Sequence, residues 1–220
     1  MEIIAFIFNA FLSMIDFVLN ADVHLGRIID EYGALTYGIL FAIIFAETGL
    51  VLTPFLPGDS LLFAAGLFAA NGSMNVIILA LMLWTAAFLG DNTNYWIGYY
   101  FGQKMVDNKY VPINQKYIDK TNDFYAKHGG KTIFLARFMP IIRTFAPFVA
   151  GIGKMNYKNF IFYSFIGGFS WIFVFIFAGY FFGNIPIIKN NFSTVILAII
   201  ATSFFPAAFK IVRSKLQKTK

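Results

Sequence analysis

The stretch KTIFLARFMPIIRTFAPFVAGIGKM, Lys131–Met155, constrains this chain more than any other. It is apolar enough to sit in a membrane, yet it carries Arg137 and Arg143 and is broken by Pro140 and Pro147. An arginine at the centre of a lipid-facing helix costs about 2.5–3.5 kcal/mol on insertion scales. Proline there frees backbone groups that lipid cannot satisfy. A segment that breaks both rules has to be shielded by protein or face a wet cavity, so it is a candidate functional site on cost alone.

The rest of the chain sets the same scene. Hydrophobic residues make up 59% of the 220 and charged residues 13%, where a soluble domain has about 25% charged. The expected class is an all-α integral membrane protein. With no cysteine, disulfides, thiol nucleophiles and thiolate metal sites are excluded. The net charge of +6 does not point to nucleic acid, because the basic residues flank apolar spans and read as topology signals. No GxSxG elbow, P-loop, HExxH or EF-hand loop occurs, and His24 and His128 lack ligand spacing. An enzyme, a metal site and a cofactor are therefore not expected.

In chain order, residues 3–20 read as a retained first helix, spanning or interfacial because Asn9, Ser13 and Asp16 interrupt it. A polar stretch, Asp22–Tyr32, follows. Apolar sequence then runs over Ala34–Ala70, interrupted at Thr53–Ser60. As one helix it would reach about 55 Å, nearly twice the hydrocarbon thickness, yet it is too short for two spans. Pro54, Pro57 and Gly58 are breakers at its middle, so a re-entrant hairpin fits best. Glu47 would end its first arm and Asp59 begin its second. Residues 74–101 form a long helix, and 103–130 a lysine-dotted loop with a short surface helix at Tyr117–Tyr125. The arginine–proline segment, 131–152, fits either a single broken span or a second re-entrant hairpin; the hairpin is preferred because a span would put its flanking lysines on opposite faces. Two further spans, Phe160–Phe182 and Phe192–Val212, and a basic tail, 213–220, complete a single polytopic domain of about four full spans and two hairpins. If both broken segments are re-entrant, nearly all lysines outside the membrane gather on one face. That face is cytoplasmic by the positive-inside rule, together with both termini.

An internal repeat underlies the layout. Ile97–Gly102 (IGYYFG) matches Ala178–Gly183 (AGYFFG), and Met74-Asn75 matches Met155-Asn156 at the same offset. Phe63–Gly66 (FAAG) and Phe148–Gly151 (FVAG) correspond after a loop difference of four residues. Residues 34–102 and 131–183 each read as a broken segment, a loop and a long helix. The two copies would have inverted topology, as in transporters that bind substrate between repeats on discontinuous helices.

On one unbroken helix Arg137 and Arg143 would point about 120° apart; a turn at Pro140 lets both face one cavity. The planar guanidinium makes bidentate bonds and stays charged when poorly solvated, so contact with a phosphate is preferred over a purely structural ion pair with Glu47 or Asp59. A carboxylate at lipid depth suits a proton relay, which makes Glu47 and Asp59 candidates for coupling; Asp59 is also placed to cap a helix starting at Ser60 or Leu61. Asp91, in GDNTNYW, either joins the cavity or reaches the cytoplasmic interface with Tyr95 and Trp96 as belt residues. The belt is the preferred reading.

ETGLVLTPFLPGDSLLFAAG (Glu47–Gly66), GDNTNYWIGYYFG (Gly90–Gly102) and HGGKTIFLARFMPIIRTFAPFVAGIGKM (His128–Met155) resemble the DedA family of bacterial inner-membrane proteins, related to eukaryotic VTT-domain lipid scramblases. The likeness covers roughly residues 24–185. Tyr99 departs from it, where many members carry arginine. The resemblance implies two re-entrant hairpins and proton-dependent movement of phosphorylated lipids, undecaprenyl phosphate and phospholipids among them. It also implies that Glu47, Asp59, Arg137 and Arg143 matter for it. A lipid-phosphate translocase of the cytoplasmic membrane is the leading expectation, with membrane lipids and protons as partners and a homo-oligomer left open. A proton-coupled transporter of a small soluble solute or cation, and a non-transport scaffold, are the alternatives.

Overall fold

The computed structural model describes residues 20–50, 58–106 and 129–183, with scattered positions from 185 to 198. Pro54, Pro57, the first helix at 3–20, the surface helix at Tyr117–Tyr125, His128, nearly all of Phe192–Val212 and the basic tail lie outside the described residues. Within them the chain is entirely helical. The helices are α1 (Ala21–Tyr32), α2 (Thr36–Gly49), α3 (Gly58–Ala70), α4 (Val76–Val106), α5 (Lys131–Ala136), α6 (Pro140–Ile152) and α7 (Tyr157–Phe182).

Three stretches are long and apolar enough to cross a membrane: Ala21–Gly49, Val76–Gly102 and Tyr157–Phe182. At 1.5 Å per residue the last two reach about 40 Å, whereas α3 reaches only about 20 Å. The chain is a multi-pass membrane protein in the inside-out sense that its side chains require. Ile77, Leu81, Leu89, Phe162, Phe165, Val174 and Phe181 are exposed, while Glu47, Asp91, Asn94, Arg137 and Arg143 are buried. Apolar surface on that scale needs an apolar surrounding.

The stretch Asp22–Tyr32, expected as a polar connection, is helical. Ala21 and Leu25 are buried, and α1 packs on α3. Gly33, at φ 53°, ends α1 by a left-handed step that glycine takes without steric cost, and a single 3-10 turn at Gly33–Leu35 leads into α2. Membrane-crossing length is thus reached here only by counting α1 and α2 together. Each long helix starts from an asparagine that accepts hydrogen bonds from the first free N–H groups. Asn75 Oδ1 accepts from the N–H groups of Ile77 and Ile78 at 3.0 and 3.1 Å. Asn156 Oδ1 accepts from Lys158 and Asn159 at 3.1 and 3.3 Å. The matched Met-Asn pairs of the repeat are matched caps.

The described helices gather into two compact units, one of residues 20–39, 58–81 and 173–183, the other of 40–50, 82–106 and 129–172. Neither unit is one sequence repeat. In the first unit, α3 of repeat one lies against the end of α7 from repeat two. A Cβ on Gly66 would fall 2.1 Å from the Ile176 carbonyl oxygen, and one on Gly179 would fall 2.0 Å from that of Phe63. In the second unit, α6 of repeat two lies against α4 of repeat one in the same way. A Cβ on Gly151 would fall 2.0 Å from the Tyr95 carbonyl oxygen, and one on Gly98 would fall 2.1 Å from that of Phe148. Gly66 and Gly151, Gly98 and Gly179, Ile176 and Tyr95, and Phe63 and Phe148 are all equivalent positions of the repeat. Helix association in lipid has no hydrophobic drive between helices, so close backbone approach at small residues takes its place.

Candidate functional site

The second unit carries both buried arginine–carboxylate pairs found among the described residues. Its broken segment is two helices, not one. After α5 the N–H groups of Arg137, Phe138 and Met139 bond three residues back, to Phe134, Leu135 and Ala136. Met139 then leaves the helical region (φ −117°, ψ 106°), and Pro140 opens α6 at its first position, where its missing N–H costs nothing. A straight helix through Pro140 is excluded. Pro147 sits inside α6.

The break places Arg137 at the end of α5 and Arg143 in the first turns of α6, and both guanidiniums converge. Their central carbons lie 4.7 and 4.5 Å from the ring centroid of Trp171 on α7, close enough for cation–π attraction. Gly167 and Gly168 of α7 lie beside Arg137 at ordinary van der Waals distance. A Cβ at Gly168 would stand 3.8 Å from Arg137 Nη2, and one at Gly167 would stand 3.4 Å from the Phe134 Cα.

Each arginine has its own carboxylate. Arg143 Nη2 donates to Glu47 Oε1 in the last turn of α2. Arg137 Nη1 donates to Asp91 Oδ1 on α4, whose Oδ2 accepts the Ser164 hydroxyl at 2.6 Å. All four charged residues are less than 5% exposed. Breaking such a pair leaves an uncompensated buried charge, at a cost of about 3–5 kcal/mol. Beside the pairs, Asn94 Nδ2 donates to the carbonyl oxygens of Thr48 (2.9 Å) and Thr144 (2.7 Å). It thereby ties α2 and α6 to α4. Gly90 lets α2 cross α4 closely, since a Cβ there would meet the Thr48 hydroxyl at 1.9 Å.

Arg137, Arg143, Glu47 and Asp91 are therefore brought together as one cluster. Asp91 and Tyr95 are buried, not belt residues: Asp91 is the partner of Arg137, and Tyr95 donates its hydroxyl to the Met155 carbonyl at 2.6 Å. Only later on α4 do exposed aromatics appear, at Tyr99 and Tyr100. Asp59 belongs to the first unit, where it is buried in the first turn of α3, at the helix end that favours negative charge. Trp171, Asn94 and Ser164 were not singled out from the sequence. The signal for Trp171 was a tryptophan far inside an apolar span instead of near its ends.

Among known proteins, the VTT domain matches residues 56–181. The Protein DedA of Escherichia coli K12 is 51% identical over 205 residues, which covers 92% of this chain and 94% of that protein. An uncharacterized membrane protein of Mycobacterium tuberculosis H37Rv is 42% identical over 82% of this chain and 80% of its own. The inner membrane protein YqjA of E. coli K12 is 33% identical over 70% of each. No solved structure matches. The segment with the broken helix and the buried pairs falls within the matched domain apart from α2, and the chain belongs to the DedA family of VTT-domain membrane proteins.

Proposed function

We propose that this chain moves a phosphorylated lipid, such as undecaprenyl phosphate or a phospholipid, between the leaflets of the bacterial cytoplasmic membrane, drawing on the proton gradient. The observation that carries the reading is the convergence of two buried arginines on one tryptophan ring, from either side of a helix break. Guanidiniums held this way are suited to a phosphate. The charges also supply a coupling rule. Two arginines against Glu47 and Asp91 make a neutral cluster, so an incoming anion competes with the carboxylates. Protonating one carboxylate releases one guanidinium for one negative charge, which links anion entry to proton uptake. Asp59, in the other unit, is a second candidate proton carrier.

The topology belongs to the same reading. The two broken segments are re-entrant from opposite sides, four further segments span, and both termini are cytoplasmic. As the chain has no native cysteine, single cysteines at positions 116 and 216 test this. Both should resist an impermeant maleimide added to intact cells; labelling of either from outside overturns the layout.

Transport itself is tested with the purified protein in vesicles. Exchange of a labelled lipid monophosphate between leaflets should be lost in Arg137→Ala and Arg143→Ala variants that remain folded. The carboxylate partner that each arginine has gives one specific ground for a scaffold role instead. Retained cellular function in both variants would favour that scaffold, and solute or cation flux without lipid exchange would favour a soluble-substrate transporter.

A further inference from the structure

Arg137 and Asn94 each keep unused hydrogen-bonding capacity. Arg137, only 3% exposed, spends Nη1 on Asp91, while its Nε and Nη2 meet no acceptor among the described residues. Asn94, fully buried, spends both amide hydrogens on the carbonyls of Thr48 and Thr144, while its Oδ1 meets no donor among them. The orientation of that amide is chemically determined, because only the NH2 end can donate to two carbonyl oxygens. Buried groups of this kind are costly unless something satisfies them. Asn94 stands three residues after Asp91 on α4, a rise of about 4.5 Å. At that spacing Asn94 and the Asp91 that holds Arg137 share one face of α4.

Between them, Arg137 and Asn94 leave three N–H hydrogens and one acceptor unused. A phosphodiester offers acceptors only, and its oxygen would face Asn94 Oδ1 with no proton between them. The same holds for a fully ionised phosphomonoester. A monoester that keeps one proton offers both kinds of group. We propose that Asn94 reads the protonation state of the headgroup, its Oδ1 accepting the P–OH of a hydrogen-phosphate monoester while Nε and Nη2 of Arg137 donate to other phosphate oxygens. The site then favours a phosphomonoester monoanion over diesters, and one proton travels on the substrate itself. No bond is made or broken; the proton enters and leaves with the phosphate. The inference rests on the lipid-phosphate reading.

The charged and titratable groups around Asn94 are Glu47 beside Thr48 on α2, Arg143 beside Thr144 on α6, Asp91 and Tyr95 on α4, and Arg137 at the end of α5. Ser164 and Trp171 face the cluster from α7 without ionising. A substrate that cannot titrate separates their protonation from that of the headgroup. Vesicles containing the full chain are loaded with one of three fluorescent lipids of equal tail: a phosphate monoester, its methyl phosphodiester and its sulfate ester. Leaflet exchange is then followed at pH 6, 7 and 8. The second phosphate ionisation falls near pH 6, so monoester exchange should drop at least about tenfold from pH 6 to pH 8. The diester and sulfate should exchange slowly and with little pH dependence. Equal exchange of monoester and diester at pH 6, or faster monoester exchange at pH 8, overturns the role given to Asn94. Exchange of none of the three overturns the transport reading beneath it. In an Asn94→Ala variant that remains monodisperse, the monoester preference over the diester should fall towards one, and an unchanged preference counts against the proposal. Should that variant not fold, the wild-type comparison decides alone.

Discussion

The two units are built on one joint and use it differently. In each, a short helix from one repeat meets the long helix of the other at a pair of equivalent glycines: Gly66 with Gly179 in the first unit, Gly151 with Gly98 in the second. A third pair repeats the match, Gly183 against Leu67 and Gly102 against Ile152. Around the joint the units diverge. Where repeat one has Asp91 and Asn94 on α4, the equivalent positions of repeat two on α7 are Ile172 and Phe175. Arg143 on α6 corresponds to Gly58 on α3. The shared joint is therefore the part that holds helices together in lipid, and the ion pairs are an addition to one copy of it. Buried charges in a membrane-spanning chain are costly, and the proposed phosphate site is where they were added.

The largest effects are expected where the units differ. Asp91→Ala strands Arg137 and should destabilise the detergent-solubilised protein by about 3–5 kcal/mol. The Asp91→Ala/Arg137→Ala double variant should recover part of that loss. A double-mutant cycle on thermal unfolding reads the coupling directly, and additivity of the two losses would mean that the pair is not formed.

The joint itself comes next. Gly66→Val and Gly151→Val both drive a side chain into a backbone carbonyl, at 2.1 and 2.0 Å from the Cβ position, so each should cost at least about 1–3 kcal/mol. Similar losses sharpen the equivalence of the two units. Tolerance of valine at one position but not the other breaks it.

Smaller still is the tryptophan that only the second unit uses. Trp171→Leu removes the ring under both guanidiniums and should cost about 0.5–2 kcal/mol beyond its packing. The share due to Arg137 is measurable as the difference between this change in wild type and in an Arg137→Ala background; equal losses in the two would exclude a cation–π contribution from Arg137.

The smallest expected effects are again shared. Asn75→Ala and Asn156→Ala each remove a helix cap worth about 1 kcal/mol, and melting temperatures should fall by similar amounts. A marked difference would show that the Met-Asn match is sequence likeness without matching structure.

The sequence carried more of this than composition suggests. The break at Pro140 was legible because proline and arginine are expensive in lipid, and the repeat because its glycines and capping asparagines recur at fixed offsets. The pairing of Arg137 with Asp91 was not legible. The two stand 46 residues apart, and Asp91 is flanked by asparagines and aromatics that equally suit an interface. Nor was the exchange of halves between repeats. Each repeat read as a unit in itself, because sequence order carries no record of which long helix a short one packs against. Helix α1 was missed for a simpler reason: its apolar positions are few, and only Ala21 and Leu25 are buried.

The buried arginines as a phosphate site are tested most directly by conservative exchange. Arg137→Lys and Arg143→Lys keep the positive charge and lose the planar fork. Each lost hydrogen bond to a charged group is worth about 1.5–3 kcal/mol, or at least about tenfold in binding. Leaflet exchange of a labelled lipid monophosphate in vesicles should therefore fall at least about tenfold in each variant while both stay folded. Exchange at the wild-type rate in both lysine variants would contradict a phosphate site at these arginines.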